Sequence, residues 1–533
     1  MFDLSTGRTR LPKNLSRDAL LLGTPVHLPV RFSAALARRG VRRLFVCYGG
    51  SIVVIPISRA MARAGLRVAG IKAFDALDRL DSRVEATRRP LALALRPVLA
   101  AARRCLQRLR PANRFRALSS VQLAQLASRV PTQELNSESV VMFNSALAWG
   151  GAERQLVNTL RGLNRNGWSV QLFCEHLGAV RDSYFFAPEL AQSGVSYAAL
   201  EAAAAAAEPA LDPALANRLK AGLAELPPPF AGSLWPYLAV LLAARPHVVH
   251  AWQDQTAILA GTAAVIAGVP RIVLATRNMS PCNFGYHQPH MRESYQLLAT
   301  QPGVCLLNNS AAGARDYADW LGLPVKCFTV VPNGFEAPAD GATESGAQLR
   351  ARLGIPADAP LVGSIFRFYP EKDPLLWLET AAKVAERVPR ARFLLVGTGP
   401  LEAELHRVAR RGVLADKVFM LGTIPDPRPV LSALDIFLLT SRFEGLPNVL
   451  IEAQMAGVPV VSTLAGGTAE TFIDGITGRL VHSRDATDLA RAICAILDDV
   501  TWAANARFRA QEQAQARFGL NRMLDDTIAL YRC

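Results

Sequence analysis

The stretch SRFEGLPNVLIEAQMAGVPVVS, residues 441–462, places Glu444 in a Gly/Pro loop and Glu452 just inside an apolar helix. Upstream, RFYPEKDP carries Arg367 and Lys372, and TGPLEAEL, with Gly399, leads from Gly397 into a helix; downstream, LAGGTAETF brings Gly466 and Gly467. A carboxylate can accept two hydrogen bonds from adjacent hydroxyls of a ribose or pyranose. Cations neutralise phosphate, arginine through a planar fork. Glycines let backbone N–H groups approach an anion, and a helix N-terminus adds a favourable dipole. Such a set suits a diphosphate flanked by two polyhydroxy rings, which is the chemistry of a nucleoside diphosphate sugar.

These residues need elements to hold them. LVGSIF, RFLLVG, KVFMLGT, IFLLTS and VPVVST read as buried strands separated by amphipathic helices from residue 361 on. An earlier series starts at residue 139 with VVMFN, a Gly-rich turn and a helix, and continues through HVVHAW, RIVLAT, GVCLLNN and FTVVPNGFE. Continuous apolar strands alternating with helices predict parallel sheets covered on both faces. Two series predict two doubly wound α/β domains, with ligands bound beyond the carboxyl ends of the strands, in a cleft between the domains. We place the first at residues 136–340, the second at 341–510 and a closing helix at 511–533. Pro447 marks the start of the helix carrying Glu452.

Taken together, the Glu444/Glu452 pair, GGAER, VVPNGFE, GGTAE and the Arg367/Lys372 pair resemble the retaining glycosyltransferases of family 4, which have the GT-B fold. The resemblance covers about residues 139–530. It implies that Glu452 binds ribose hydroxyls and Glu444 the hydroxyls of the transferred sugar. Arg367 and Lys372 would hold the diphosphate and stabilise the leaving group, with Gly445, Leu446, Asn448, Gly397 and Gly399 lining the donor side. Gly150 and Gly151 of WGGAER would let backbone approach the reacting end of the donor, and Glu153 and Arg154 read as charges of the helix start. His250 matches the first histidine of a His-x-His pattern whose second position is Trp252 here, so it either touches sugar or acceptor or fills the strand end. Arg277 and Asn278 of TRNMSP are candidate acceptor contacts, and Asn333 and Gly334 are expected to shape the hinge.

The resemblance implies a retaining transfer from a nucleotide sugar, UDP-sugar favoured, to a lipid-linked or polysaccharide acceptor, as in bacterial capsule, O-antigen or exopolysaccharide synthesis. A sugar-nucleotide epimerase or glycogen-type synthase would keep the fold and change the reaction, and a non-catalytic sugar-nucleotide-binding scaffold at the membrane would bind donor without turnover. No metal-ligand cluster or strand-end Asp-x-Asp emerges, so no metal or cofactor is expected.

The net charge of +15 is uneven. Residues 1–130 hold 25 Lys and Arg against 6 Asp and Glu, and the remainder is slightly acidic. This asymmetry suits an anionic partner, whether membrane surface, nucleic acid or anionic polymer, or else a solvated Arg-rich surface, and the Leu/Ala/Arg stretch 89–118 suits an amphipathic helix on anionic lipid or one docked on protein with its Arg stems extended. Nucleic acid is not expected, since aromatic stacking motifs are missing. Leu44–Tyr48, Gly49–Gly50, a helix and a strand Arg67–Phe74 ending at Asp75 read as a small Rossmann-like βαβ unit, and residues 119–139 as a linker. No apolar run reaches the ~20 residues of a membrane span. Eight dispersed cysteines fit a reducing compartment, so a cytoplasmic protein, peripheral on the inner membrane face, is expected.

Overall fold

The computed structural model describes residues 116–132, 134–178, 183–336 and 344–532 in full, and only the backbone of five short strands among the first 115. Residues 115–533 form one compact unit. Its first sheet has seven strands: β1 (Asn136–Asn144), β2 (Ser169–Cys174), β3 (Ser196–Ala199), β4 (Pro246–Trp252), β5 (Arg271–Ala275), β6 (Val304–Asn308) and β7 (Phe328–Val330). They run in the order β7-β6-β5-β4-β1-β2-β3, every neighbour parallel. The second sheet has six, β8 (Leu361–Ile365), β9 (Arg392–Val396), β10 (Val418–Met420), β11 (Ile436–Leu439), β12 (Val460–Thr463) and β13 (Gly478–Val481). Their order is β10-β9-β8-β11-β12-β13, again all parallel. This is the GT-B architecture of two facing doubly wound domains.

Strand order reverses between β1 and β4 in the first sheet and between β8 and β11 in the second. A crevice opens beyond the strand ends at such a reversal. The loops after β8 and β11 are the ones that carry Arg367, Lys372 and Glu444. The buried residues of β8, β9, β11 and β12 explain why these strands are continuous apolar runs: helices cover both faces.

The stretch read as a linker is partly folded. Helix α1 (Ser120–Ala127) starts at Ser119 with a capping box to Gln122, and buries Leu123 and Leu126 in the core of the first domain. A Ser-x-x-Gln pair ahead of leucines three apart is a helix-start signal. Five further helices matter to the cleft: α2 (Gly151–Arg165), α3 (Asp254–Ala267), α4 (Ala311–Leu321), α5 (Asn448–Met455) and α6 (Val500–Phe518). The single closing helix is instead two, because Gly519 separates α6 from α7 (Leu520–Arg532).

The chain therefore crosses between domains twice. Helix α6 packs Ala514 and Phe518 against Ile451 and Met455 of α5, whereas α7 buries Met523, Leu524 and Tyr531 in the first domain. The crossings are joined: Phe335 N–H donates to Phe518 O and Leu520 N–H to Phe335 O, each at 2.8 Å. A Cβ on Gly334 would lie 2.7 Å from Met523 Cβ, so Gly334 lets this segment pack closely against α7. Gly162 gives α7 its seat on α2, since a Cβ there would meet Leu524 Cδ1 at 2.3 Å. His250 belongs to this packing. It is buried, its Nδ1 lies 2.6 Å from the Tyr531 hydroxyl, and its ring is tilted against Trp252. Burial, with help from the Arg277 charge, lowers its pKa to about 3.

Among the first 115 residues, Phe2–Asp3 pairs antiparallel with Arg8–Thr9, and Ala19–Leu22 pairs parallel with Arg43–Tyr48. Arg43–Tyr48 then pairs antiparallel with Ser51–Pro56, Tyr48 opposite Ser51. The βαβ reading of this stretch is thus corrected to a hairpin: SIVVIP is β-branched and only two residues, 49–50, join the strands. The strand at 67–74, Asp75 and the basic helix within 89–115 lie outside the described residues.

Two outcomes follow. Leu524→Ala should lower unfolding stability by about 2–5 kcal/mol, read as a reduced denaturant midpoint of the transition that exposes the first domain; an unchanged midpoint contradicts the docking of α7. His250 is neutral when folded and takes up a proton when unfolded, so its contribution is intact above pH ~6.5 and declines as pH falls toward 3, by up to about 1.4 kcal/mol per pH unit. His250→Gln should flatten that part of the stability–pH curve, and an equal slope in both proteins contradicts it.

Candidate functional site

On the first-domain side, β1 leads through extended Gly150 into α2 at Gly151. The Glu153 side chain folds back over this turn: a Cβ on Gly150 would stand 2.1 Å from Glu153 Oε2. Gln253, at the end of β4 with φ +68°, donates to Glu153 Oε1 at 2.8 Å. The Glu153–Gln253 bond thus ties together the two strands at which the first sheet reverses. Burial raises the Glu153 pKa, opposed by its own backbone N–H, by Gln253 and by the charge of Arg367. Arg367 belongs to the second domain, so the two sides of the cleft act on one another here.

On the second-domain side, Lys372 Nζ lies 2.5 Å from Glu444 Oε1, and Ser441 Oγ donates to the same oxygen at 2.6 Å. This pair bridges the second reversal, from the loop after β8 to the loop after β11. Its support is built from Asp373, whose Oδ2 accepts from Arg442 at 2.8 Å and Arg484 at 2.7 Å. Arg484 also donates to the carbonyls of Ser441 and Thr440. Gly466 and Gly467 press against the Glu444 loop, where added Cβ atoms would come within 2.0 and 1.9 Å of the carbonyl oxygens of Glu444 and Gly445. Gly397 and Gly399 press in the same way against the carbonyls of Phe366 and Phe368, which fixes the loop that presents Arg367. Arg367 itself is half exposed, lies over the Tyr369 ring and sits 3.9 Å from Glu371.

A polar seam joins the two sides. Arg277 donates to Asn333 Oδ1 at 2.7 Å, Asn333 Nδ2 donates to Asn448 Oδ1 at 2.6 Å, and Asn448 Nδ2 donates to Gly151 O at 2.8 Å. Arg154 of α2 reaches across to pair with Glu452 of α5. Gly445 fits against the Arg277 and Asn278 backbone, where a Cβ would meet Arg277 O at 2.7 Å. Leu446 is buried beside Phe335 and Ile451, and its carbonyl accepts from Asn333. Arg277 is buried at φ +60° with its guanidinium 4.1 Å from the Trp252 ring centroid, and burial lowers its pKa to about 9.

The predicted residues therefore divide. Glu444, Lys372, Arg367, Gly445, Asn448, Gly150 and Gly151 meet at the cleft, and Glu452 lies on α5 facing the opposite domain. Gly397, Gly399 and Leu446 support the loops from behind. Arg277 and Asn278 line the seam from the first domain, and His250 is buried against α7. Pro447 is the residue before α5 rather than its first. Sequence reasoning treated Glu153 and Arg154 as helix-start charges and missed Gln253, Arg442 and Arg484. The signal for Gln253 was its place at the end of β4, beside the reversal. Among the described residues, no group of three or more His, Cys, Asp or Glu side chains is placed to hold a metal, and no helix is long and apolar enough to cross a membrane.

Residues 149–337 match the family model for glycosyltransferase family 4, and residues 359–499 the model for glycosyl transferases group 1. The chain is 39% identical over 249 residues to the Vi polysaccharide biosynthesis protein VipC/TviE of Salmonella typhi, covering 45% of this chain and 42% of that protein. It is 34% identical over 181 residues to the lipopolysaccharide core biosynthesis glycosyltransferase LpsE of Rhizobium meliloti, covering 34% of this chain and 52% of the relative. The match thus spans about half the length of these relatives. Anabaena Alr3699/HepE, solved in complex with UDP and glucose, superposes with a TM-score of 0.60 at 22% identity, over 73% of this chain and 98% of its own. The two family models fall on the two halves of the cleft and together span more than half of the sequence, and the chain belongs to the glycosyltransferases of GT-B fold.

Proposed function

We propose that the protein transfers a sugar from a nucleoside diphosphate sugar, UDP-sugar favoured, to a lipid-linked or polysaccharide acceptor in cell-surface polysaccharide synthesis, with retention of configuration. The observation that carries this reading is the Lys372–Glu444 pair at the sheet reversal, opposite the glycine turn of α2. With donor bound, Lys372 and Arg367 would meet the diphosphate and neutralise the charge that develops on it as the glycosidic bond breaks. Glu444 would turn to hydroxyls of the transferred sugar and Glu452 to those of the ribose, exchanging their ion-pair partners for hydroxyl donors. Departure of the diphosphate and attack by the acceptor would share one face of the sugar, which yields retention without a protein nucleophile. Cations of the chain would serve where a metal ion otherwise could. The names of the polysaccharide and lipopolysaccharide relatives support the acceptor class.

We further propose a cytoplasmic enzyme resting on the inner membrane face, its basic residues 1–130 against anionic lipid. This assignment rests on the charge imbalance of that segment.

A thermal-shift screen of nucleotide sugars identifies the donor, since a ligand that binds the folded state raises Tm. With that donor, Lys372→Ala should lower kcat by about 100-fold or more, and Glu452→Ala should weaken donor binding; full transfer in either variant contradicts the assignment. EDTA should leave the wild-type rate unchanged, and a loss restored by Mg²⁺ or Mn²⁺ would contradict metal independence. In sedimentation with anionic liposomes, the full chain should pellet and a chain lacking residues 1–114, which keeps α1 and the first-domain core, should not. Equal pelleting ends the membrane assignment.

A further inference from the structure

Resting on the glycosyl-transfer reading, we infer that Phe284 and Tyr286 form a stacking platform at the mouth of the cleft that takes a pyranose ring of the acceptor glycan. The two rings are parallel and stacked on one another, centroids 5.3 Å apart at 7°, so Phe284 backs one face of the Tyr286 ring. Their loop leaves the carboxyl end of β5 and is pinned by Asp316, which accepts from Ser280 N–H at 2.7 Å and Asn283 Nδ2 at 3.0 Å. Tyr286 is locked a second time. Its hydroxyl donates at 3.3 Å to Asp254, a buried carboxylate at the start of α3 that also accepts from Tyr295 and Tyr317. The polar edge of Tyr286 is thus held inward while the residue remains 48% exposed.

Position ties the platform to the transfer chemistry. Phe284 makes an edge-on contact with Phe443, the residue before Glu444, at 5.8 Å. Glu371, the residue before Lys372, is near enough for its charge to act on the Tyr286 hydroxyl. The acceptor-side rings therefore adjoin the donor-side loops. A ring held by its own hydrogen bond loses little entropy when a ligand settles on it. The C–H face of a pyranose suits such a surface, because both partners shed water on contact. Phosphate or carboxylate suits it poorly, since the π face is negative and Asp254 and Glu371 lie close by.

The test is saturation-transfer NMR of the full chain with methyl α- and β-hexopyranosides of the gluco, galacto and manno series, with cyclohexanol as an apolar control. At least one glycoside should receive saturation on the protons of one ring face, with cyclohexanol much weaker. Tyr286→Ala should bind about tenfold more weakly. Tyr286→Phe, which keeps the ring but frees it from Asp254, should bind less tightly than the wild type and more tightly than Tyr286→Ala. Tyr286→Leu, which preserves apolar bulk without the ring, should behave as Tyr286→Ala and guards against a folding defect in the smaller variant. No transfer to any glycoside, undiminished transfer in both Tyr286→Ala and Tyr286→Leu, or equal transfer to cyclohexanol overturns the platform. A chain that passes this test yet consumes no nucleotide sugar would instead sink the glycosyl-transfer reading.

Discussion

Arg277 is a buried guanidinium with no carboxylate in hydrogen-bond contact among the described residues, and the cleft is arranged around it. Removing such a charge from water is costly unless its hydrogen bonds are met. Here Asn333 Oδ1 and the face of Trp252 supply part of that compensation. Asn333 is committed in turn to Asn448, and Asn448 to the Gly151 carbonyl. A neutral amide chain thus carries the constraint from the first domain to the second and back. The left-handed backbone at Arg277 and the absence of a side chain at Gly445 belong to the same arrangement, because the two segments pass within contact distance.

That seam leaves the charged pairs free to line the opening. Each sheet is bridged where its strand order reverses, by Glu153–Gln253 on one side and by Lys372–Glu444 on the other. Glu452 is matched to Arg154 of the opposite domain. Glu444 and Glu452 thus both have cationic partners, one within the second domain and one across the cleft. Under the proposed function, a sugar nucleotide would compete with those cations, which would tie its binding to the contact between the domains.

Much of this was legible in the sequence, and the limits have physical causes. The buried parallel strands announced themselves as apolar runs, and Glu444 and Glu452 could be read together because one loop and helix hold both. The partner of Glu452 lies 298 residues away, and Asn448 meets Gly151 across 297. No local pattern encodes those contacts, since they arise from how two separately legible sheets face each other. The break at Gly519 was hidden because both halves are helical, and only the change of packing partner, from α5 to the first-domain core, distinguishes them. Near the N-terminus, two glycines after a strand fit a turn into a helix as well as a hairpin, and the β-branched SIVVIP that follows decides for the hairpin.

Under the proposed function, the reversal points of the two sheets form one anion-binding cleft built on Lys372 and Arg367. A crystal structure of the full chain with its nucleoside diphosphate tests this most directly. The account predicts phosphate oxygens at hydrogen-bond distance, about 3 Å, from Lys372 Nζ and the Arg367 guanidinium, with ribose hydroxyls on Glu452. A nucleotide seated elsewhere, leaving Lys372 still paired with Glu444, would contradict it.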